Sequence, residues 1–262
     1  MTDKGIFDLA GKVALVTGGG HGLGREYCEA MAEFGADVAC NDISMERAQE
    51  TVELLKRFGH RGIAIQADAS KPDQIDGMVR QTVSEFGTID ILFCNAGIPN
   101  RPVRLHELTI EDWDRVMDLN VRGTFLLMRA VLPIMIKQKK GSIILASSVA
   151  GLMAGAEERS LPNAVVYGAS KHAVIGLTRH AAVSYAKDRI RINAIAPGAH
   201  STYPLEIPRE AMDSIQDALV KFIPIGRIGQ PREIKGLAVY LASDASSYVT
   251  GQVFVHDGGF TT

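Results

Sequence analysis

The chain has 262 residues, 46% apolar and 22% charged, with 10 prolines and three cysteines, a size that buries a large core in one or two domains. Its formal charge of -2 lacks the basic excess of a nucleic-acid or anionic-membrane binder, so a small molecule or a protein is the expected partner. Cys28, Cys40 and Cys94 are odd in number and far apart, which shows neither a disulfide framework nor metal-ligand spacing and suits buried thiols in a reducing cytosol.

The N-terminal segment MTDKGIFDLAGKVALVTG has no signal-like apolar region, and the apolar stretch 142–156 is too short and too broken by Gly and Ser to span a bilayer. A cytoplasmic protein is expected. Short β-branched runs at 13–17, 36–41, 62–67, 89–95, 142–147, 190–196 and 252–257 predict seven strands. They are continuously apolar, which suits a parallel sheet covered on both faces. Amphipathic segments over 25–34, 46–58, 74–86, 111–137 and 165–186 predict helices between them. The pattern is a doubly wound α/β sheet, and no linker or repeat divides residues 1–262. The Pro- and Gly-rich stretch 198–230 is the least regular and is a candidate substrate loop.

The first strand runs into Thr17-Gly18-Gly19-Gly20-His21-Gly22-Leu23-Gly24, which opens a helix. Glycines there let backbone N–H groups approach a pyrophosphate at the positive end of the helix dipole. A tight strand-to-helix connection is the bland alternative. The second strand ends at Asp42, whose carboxylate can accept hydrogen bonds from an adenosine ribose and would repel a 2′-phosphate. Its alternative is a cap for the helix starting near Ser44. No Arg or Lys follows Asp42 until Arg47, so NAD is favoured over NADP.

Together with Cys94-Asn95-Ala96-Gly97, Asn120, Ser148, Tyr167-x-x-x-Lys171, Pro197-Gly198 and Asp257-Gly258-Gly259, these motifs make the chain resemble the short-chain dehydrogenase/reductase family over nearly its whole length. The resemblance implies a single-domain Rossmann fold, a nicotinamide cofactor, hydride transfer at an alcohol or carbonyl carbon, and commonly a homotetramer. It implies cofactor contacts from Gly18, His21, Gly22, Leu23, Gly24 and Asp42, from Asp68 and Ala69, and from Asn95, Ala96 and Gly97. It adds Tyr167, Lys171, Pro197, Gly198, His200 and Thr202. Asp68 is alternatively a helix cap. His200 stands where relatives usually carry an aliphatic residue, and is expected to be an exposed or rim histidine without catalytic role.

The chemistry can be argued from the residues. Oxidising a secondary alcohol requires removal of the hydroxyl proton while hydride leaves carbon. A phenol with a pKa of about 10 is a poor base near neutrality. Tyr167 becomes one if Lys171, a helical turn later, and an oxidised nicotinamide favour the ionised form. Ser148, just after the fifth strand, can hold the substrate oxygen at the carboxyl edge of the sheet; Ser147 competes for that place, and the resemblance implies Ser148, with Ser147 satisfying backbone. Asn120, mid-helix at a cost in propensity, resembles the residue that holds a proton-relay water.

His172, His180 and His256 lack spaced partners for a metal. The Met and aromatic residues of 125–135 have helical spacing and suit a core or subunit face. Met153, Tyr203, Pro204, Leu205, Phe222 and Ile223 are candidate walls for a hydrophobic or cyclic substrate, with Met153 and Tyr203 beside Ser148 and Tyr167 as its contacts. Ser148 and Tyr167 are 19 residues apart, more than in most relatives, so 155–162 is an expected pocket rim, with Glu157, Glu158 and Arg159 read as solvated charges rather than substrate contacts. The leading expectation is an NAD-linked dehydrogenase. The alternatives are an NADPH-dependent 3-oxoacyl-thioester reductase docking its carrier through Arg122 and Arg129, and a silent cofactor-binding scaffold.

Overall fold

A computed structural model describes residues 5–154, 164–202 and 209–262. Strands β1 (Val13–Thr17), β2 (Asp37–Asp42), β3 (Gly62–Gln66), β4 (Ile91–Cys94), β5 (Gly141–Ala146), β6 (Ile190–Pro197) and β7 (Val253–His256) form one sheet. Its order is β3-β2-β1-β4-β5-β6-β7, and every pairing is parallel. Each run stops within two residues of its expected end. Every residue of β1 and of β4 is buried, because both faces are covered. That is why those segments read as unbroken apolar runs rather than alternating ones.

Helices α1 (Gly22–Glu33), α2 (Met45–Leu55), α3 (Pro72–Phe86), α4 (Ile110–Met117), α5 (Thr124–Gln138), α6 (Val165–Tyr185), α7 (Arg209–Val220) and α8 (Lys235–Ala242) follow in order. On one face Met78 of α3, Val131 of α5 and Val174 of α6 pack over Leu15, Leu92 and Ile143. On the other, Tyr27 and Met31 of α1, Ala48 of α2 and Val239 of α8 pack over Val16, Phe93 and Ile144. Met128 and Met135 are buried in the first of these cores, as the spacing of 125–135 implied.

Two expectations are corrected. The stretch 198–230 contains the 12-residue helix α7, whose periodicity was hidden by the Pro and Gly on either side of it. The single helix expected over 111–137 is interrupted by a π-helical turn, Asp118–Gly123, with Asn120 inside it. Such turns displace a side chain from the regular helical ladder, often at functional sites.

The chain runs outward from β1 in both directions, to β2 on one side and β4 on the other. Open sheets bind ligands at such a switch point, outside the carboxyl ends of the strands. The loops leaving β1 to β6 all converge there.

Candidate active site

A cleft of about 760 Å³ runs along the carboxyl ends of the strands, from Asp42, Asp68 and Ala69 past Gly18, His21, Gly22, Leu23 and Gly24 to Asn95, Ala96, Gly97, Ser148, Tyr167, Lys171, Pro197, Gly198, Ala199, His200 and Thr202. Its glycine turn is built without room for side chains. Gly18 has φ +62°, and a Cβ there would lie 3.1 Å from the Ala96 Cα. A Cβ on Gly24 would run into the Gly18 carbonyl oxygen. Asn95 ties the turn down, its Nδ2 donating to the Thr17 carbonyl at 3.0 Å and to that of Gly18 at 3.1 Å. No side chain caps α1 at His21, so the first-turn N–H groups face the cleft uncapped by a side chain, an arrangement suited to a phosphate. Length, glycine cradle and helix terminus fit a dinucleotide.

At the far end of this cleft Asp42 is buried. Its Oδ2 accepts from Gly20 N at 3.1 Å, and its Oδ1 from Ser44 N at 3.0 Å and Arg47 Nη2 at 2.7 Å. Burial pushes its carboxyl up, but the neighbouring His21 imidazole, the Ser44 amide and the Arg47 guanidinium outweigh it and hold the pKa at about 2. Asp42 is therefore an anion across the working range. It does not cap α2; Ser44 does, accepting from Arg47 N at 3.3 Å. Nor does Asp68 cap α3, whose first residues follow Lys71. Asp68 Oδ1 accepts from Ser70 N at 2.8 Å, which shapes the loop locally.

Tyr167 and Lys171 lie one turn apart on α6, and the Lys171 Nζ stands 5.4 Å from the centre of the Tyr167 ring. Ser148, at the turn after β5, pairs with the Tyr167 hydroxyl. Its Oγ also accepts from Ala150 N at 3.2 Å. Burial raises the Tyr167 pKa and the Ser148 contact opposes it, so the free chain carries a neutral phenol. Lys171 donates to the Ala146 carbonyl at 2.7 Å, and burial lowers its pKa to about 8. Ser147 Oγ donates to the Lys171 carbonyl at 3.1 Å, whereas Ser148 is the hydroxyl paired with Tyr167.

Asn120 is close by but fully engaged. Its Oδ1 accepts from Ile98 N at 2.9 Å, and its Nδ2 donates to the Ile98 carbonyl and to Ser170 Oγ, each at 3.0 Å. A Cβ on Gly97 would lie 3.1 Å from Asn120 Oδ1 and 3.3 Å from Lys171 Nζ, so this glycine separates the two. The carboxamide clamps the β4 loop onto α6 rather than facing the lysine openly.

Sequence reasoning missed Asn100. Its Oδ1 accepts from Tyr167 N at 2.9 Å, satisfying one of the orphan donors in the first turn of α6 from a distant loop. An Asn in a Pro-flanked loop is a familiar cap, but its partner 67 positions away left no local signal.

The tested wall residues divide. Met153 lines the cleft, with Ile98, Pro99, Val149 and Leu219. Ile223 does not: it is buried against the Gly258 turn, where a Cβ on Gly258 would approach its Cγ2 to 2.9 Å. Phe222 is likewise off the cleft, beneath the Lys221 ammonium at 4.8 Å. Tyr203, Pro204, Leu205 and the expected rim 155–162 lie outside the described residues. His200 departs from its expected place at the rim. It is buried, and its Nε2 meets His256 Nδ1 at 3.0 Å. Among the described residues no group of three His, Cys, Asp or Glu side chains could hold a metal.

A family model described as enoyl-(acyl carrier protein) reductase matches residues 18–261. The chain belongs to the short-chain dehydrogenase/reductase family. Its similarity to the 2,5-dichloro-2,5-cyclohexadiene-1,4-diol dehydrogenase of Sphingobium indicum is 40% identity over 97% of this chain and 98% of that one. With the cyclohexanol dehydrogenase of an Acinetobacter species it shares 38% identity over 96% and 95% of the two chains. A crystal structure of a short-chain type dehydrogenase/reductase from Mycobacterium marinum superposes with a TM-score of 0.91 at 37% identity, covering 98% of each chain. Membership makes the chain a nicotinamide-dependent oxidoreductase. Ser148, Tyr167 and Lys171 line one stretch of the cleft together.

Proposed function

We propose that the chain is an NAD-dependent dehydrogenase of hydrophobic, cyclic secondary alcohols that also reduces the matching ketones. The observation that carries this reading is the convergence of Ser148, Tyr167 and Lys171 on a stretch of cleft walled by Ile98, Pro99, Val149, Met153 and Leu219. Ser148 and Tyr167 hold the alcohol oxygen. The Tyr167 phenolate takes the hydroxyl proton, and Lys171, cationic below a pKa of about 8, favours that phenolate. The bound nicotinamide supplies the hydride acceptor. Products are ketone, reduced cofactor and neutral Tyr167, and reduction runs the same steps backwards.

Two similar proteins act, by name, on six-membered carbocycles, which supports a cyclic substrate. The choice of NAD rests on the buried, ionised Asp42, which opposes a 2′-phosphate. The same residue weighs against the NADPH-dependent 3-oxoacyl-thioester reading, although Arg122 and Arg129 are both exposed and could meet an acidic carrier. The complete set Asn120, Ser148, Tyr167 and Lys171 weighs against a silent scaffold. We also infer a homotetramer, supported by exposed Phe125 on α5 and Val183 on α6. A reducing cytoplasm is supported by three buried free thiols.

The test is a panel of cyclic and linear secondary alcohols and 3-oxoacyl thioesters with NAD and NADP, followed by the absorbance of the reduced nicotinamide. Turnover of cyclic alcohols with NAD supports the reading. Preference for thioesters with NADPH sinks it, and tight NAD binding with no turnover on any member favours the scaffold.

A further inference from the structure

His200 and His256 come from different elements, the segment after β6 and the end of β7, and their rings stack at 5.1 Å between centres and 20° between planes. His200 Nδ1 lies 3.0 Å from the Gly198 carbonyl, which can only accept, so Nδ1 carries the hydrogen. Burial, and then the neighbouring His256, lower the His200 pKa, so its ring is neutral and has one hydrogen to place. Its Nε2 is therefore a bare acceptor. The hydrogen in the 3.0 Å contact between the rings must then belong to His256 Nδ1. Gly198 N in turn donates to the His256 carbonyl at 3.0 Å. The three bonds close a ring in one direction, from His256 to His200, from His200 to Gly198 and from Gly198 back to His256.

We infer that this tautomer-locked histidine pair is a positioning device that holds segment 197–202 in the shape that receives the nicotinamide. The front of the segment lines the cleft, and Thr202 lies over the phosphate turn, its Cγ2 3.6 Å from where a Gly22 Cβ would be. The pair braces the back. Gly229 adds a second brace, accepting from Ser201 N at 2.8 Å and donating to the Ala199 carbonyl at 3.1 Å. The charged groups facing the pair are already matched. Arg227 and Glu233 join by two bonds of 2.7 Å, and Asp257 accepts from Gly259 N at 2.9 Å and Thr261 N at 2.8 Å. Two aliphatic side chains could fill this space but could not orient the Gly198 carbonyl.

The inference rests on reading 197–202 as nicotinamide-facing, and one set of titrations separates the two. NADH binding is measured by its fluorescence in wild type, His256→Leu and His256→Asn. The Asn amide can present a donor where Nδ1 stood, whereas Leu cannot. With one oriented hydrogen bond lost, His256→Leu should weaken NADH binding about five- to tenfold, and His256→Asn should restore it to within about twofold. Turnover at saturating cofactor should change far less than the cofactor KM. If wild type binds no NADH, the reading of the segment fails. If wild type binds and His256→Leu binds equally well, or Asn behaves as Leu does, the latch fails. Nitrogen-15 spectra of the wild-type histidines give a check independent of any variant's folding. A hydrogen on Nδ1 and none on Nε2 of His200 is expected, and the opposite tautomer would overturn the inference.

Discussion

Arg47 Nη2 meets Asp42 Oδ1 at 2.7 Å at the end of β2, so the first cation to follow Asp42 in the chain is held by its carboxylate. An Arg five positions on looked remote in sequence, but the first turn of α2 brings it back. The proposed NAD preference is therefore expected to depend on both residues. Asp42→Ala removes the anion that repels a 2′-phosphate and releases the guanidinium that would bind one. The expected result is a fall of at least about tenfold in the NAD-to-NADP ratio of kcat/KM, since a charge-assisted hydrogen bond contributes on the order of 1.5–3 kcal/mol. The double variant Asp42→Ala, Arg47→Ala should lose NAD preference without gaining NADP activity. An unchanged ratio in the single variant would refute the ribose role.

Lys171 should reduce stability in return for chemistry. Its folded pKa of about 8 lies below the ordinary 10.5 because it is buried. Below pH 8 both folded and unfolded chains carry the charge, and the folded state bears the full desolvation cost. Between about 8 and 10.5 the unfolded chain binds more protons, so this group's contribution to stability improves as pH rises. Lys171→Met should abolish turnover yet raise stability at pH 7 by about 1–3 kcal/mol, the desolvation relieved less the hydrogen bond to Ala146. The gain should shrink towards pH 10. Denaturant titrations at both pH values check it, and a destabilised variant at pH 7 would contradict it.

Asn100 is expected to act on the rate through Tyr167. Asn100→Ala leaves a first-turn N–H of α6 without its acceptor, at a cost of about 1 kcal/mol in stability. It also loosens the backbone that aims the phenol. We expect kcat to fall about tenfold with NADH binding unchanged, and Asn100→Asp, which keeps the acceptor, to recover most of it. Equal losses in both variants would mean that the acceptor is not what matters.

The pH dependence of turnover has a definite sign. Burial raises the Tyr167 pKa in the free chain, and oxidation needs the phenolate, so alcohol oxidation should rise with pH while ketone reduction falls. Bound oxidised nicotinamide adds positive charge. The inflection in kcat should therefore lie below that in kcat/KM for the first-bound cofactor. Profiles in both directions between about pH 6 and 10 measure this, and oxidation independent of pH would remove Tyr167 from the proton-transfer role.

Local chemistry was readable in the sequence, and contacts between distant segments were not. β1 was legible to the residue because its apolar run ends at the glycine turn. Helical spacing put Tyr167 and Lys171 on one face, but such a pair recurs on many amphipathic helices, and it stood out only beside the glycine turn and the Ser-Ser strand end. α7 was hidden because its flanking prolines and glycines look like loop. The contacts of Asn100 and the His200–His256 pair depend on which loops the sheet order brings together. His200 was expected to be an exposed or rim histidine because it stands where relatives usually carry an aliphatic residue, and the partner that holds it inside lies 56 positions on.

The central claim is that Tyr167 transfers the proton in an NAD-linked oxidation of a cyclic secondary alcohol. The direct measurement is single-turnover oxidation of cyclohexanol by wild type and Tyr167→Phe, each saturated with NAD, with NADH affinity measured in parallel. Tyr167→Phe should keep NADH affinity within about twofold and lose at least about a hundredfold in rate, the usual scale of a positioned acid or base. Near wild-type turnover by Tyr167→Phe would contradict it.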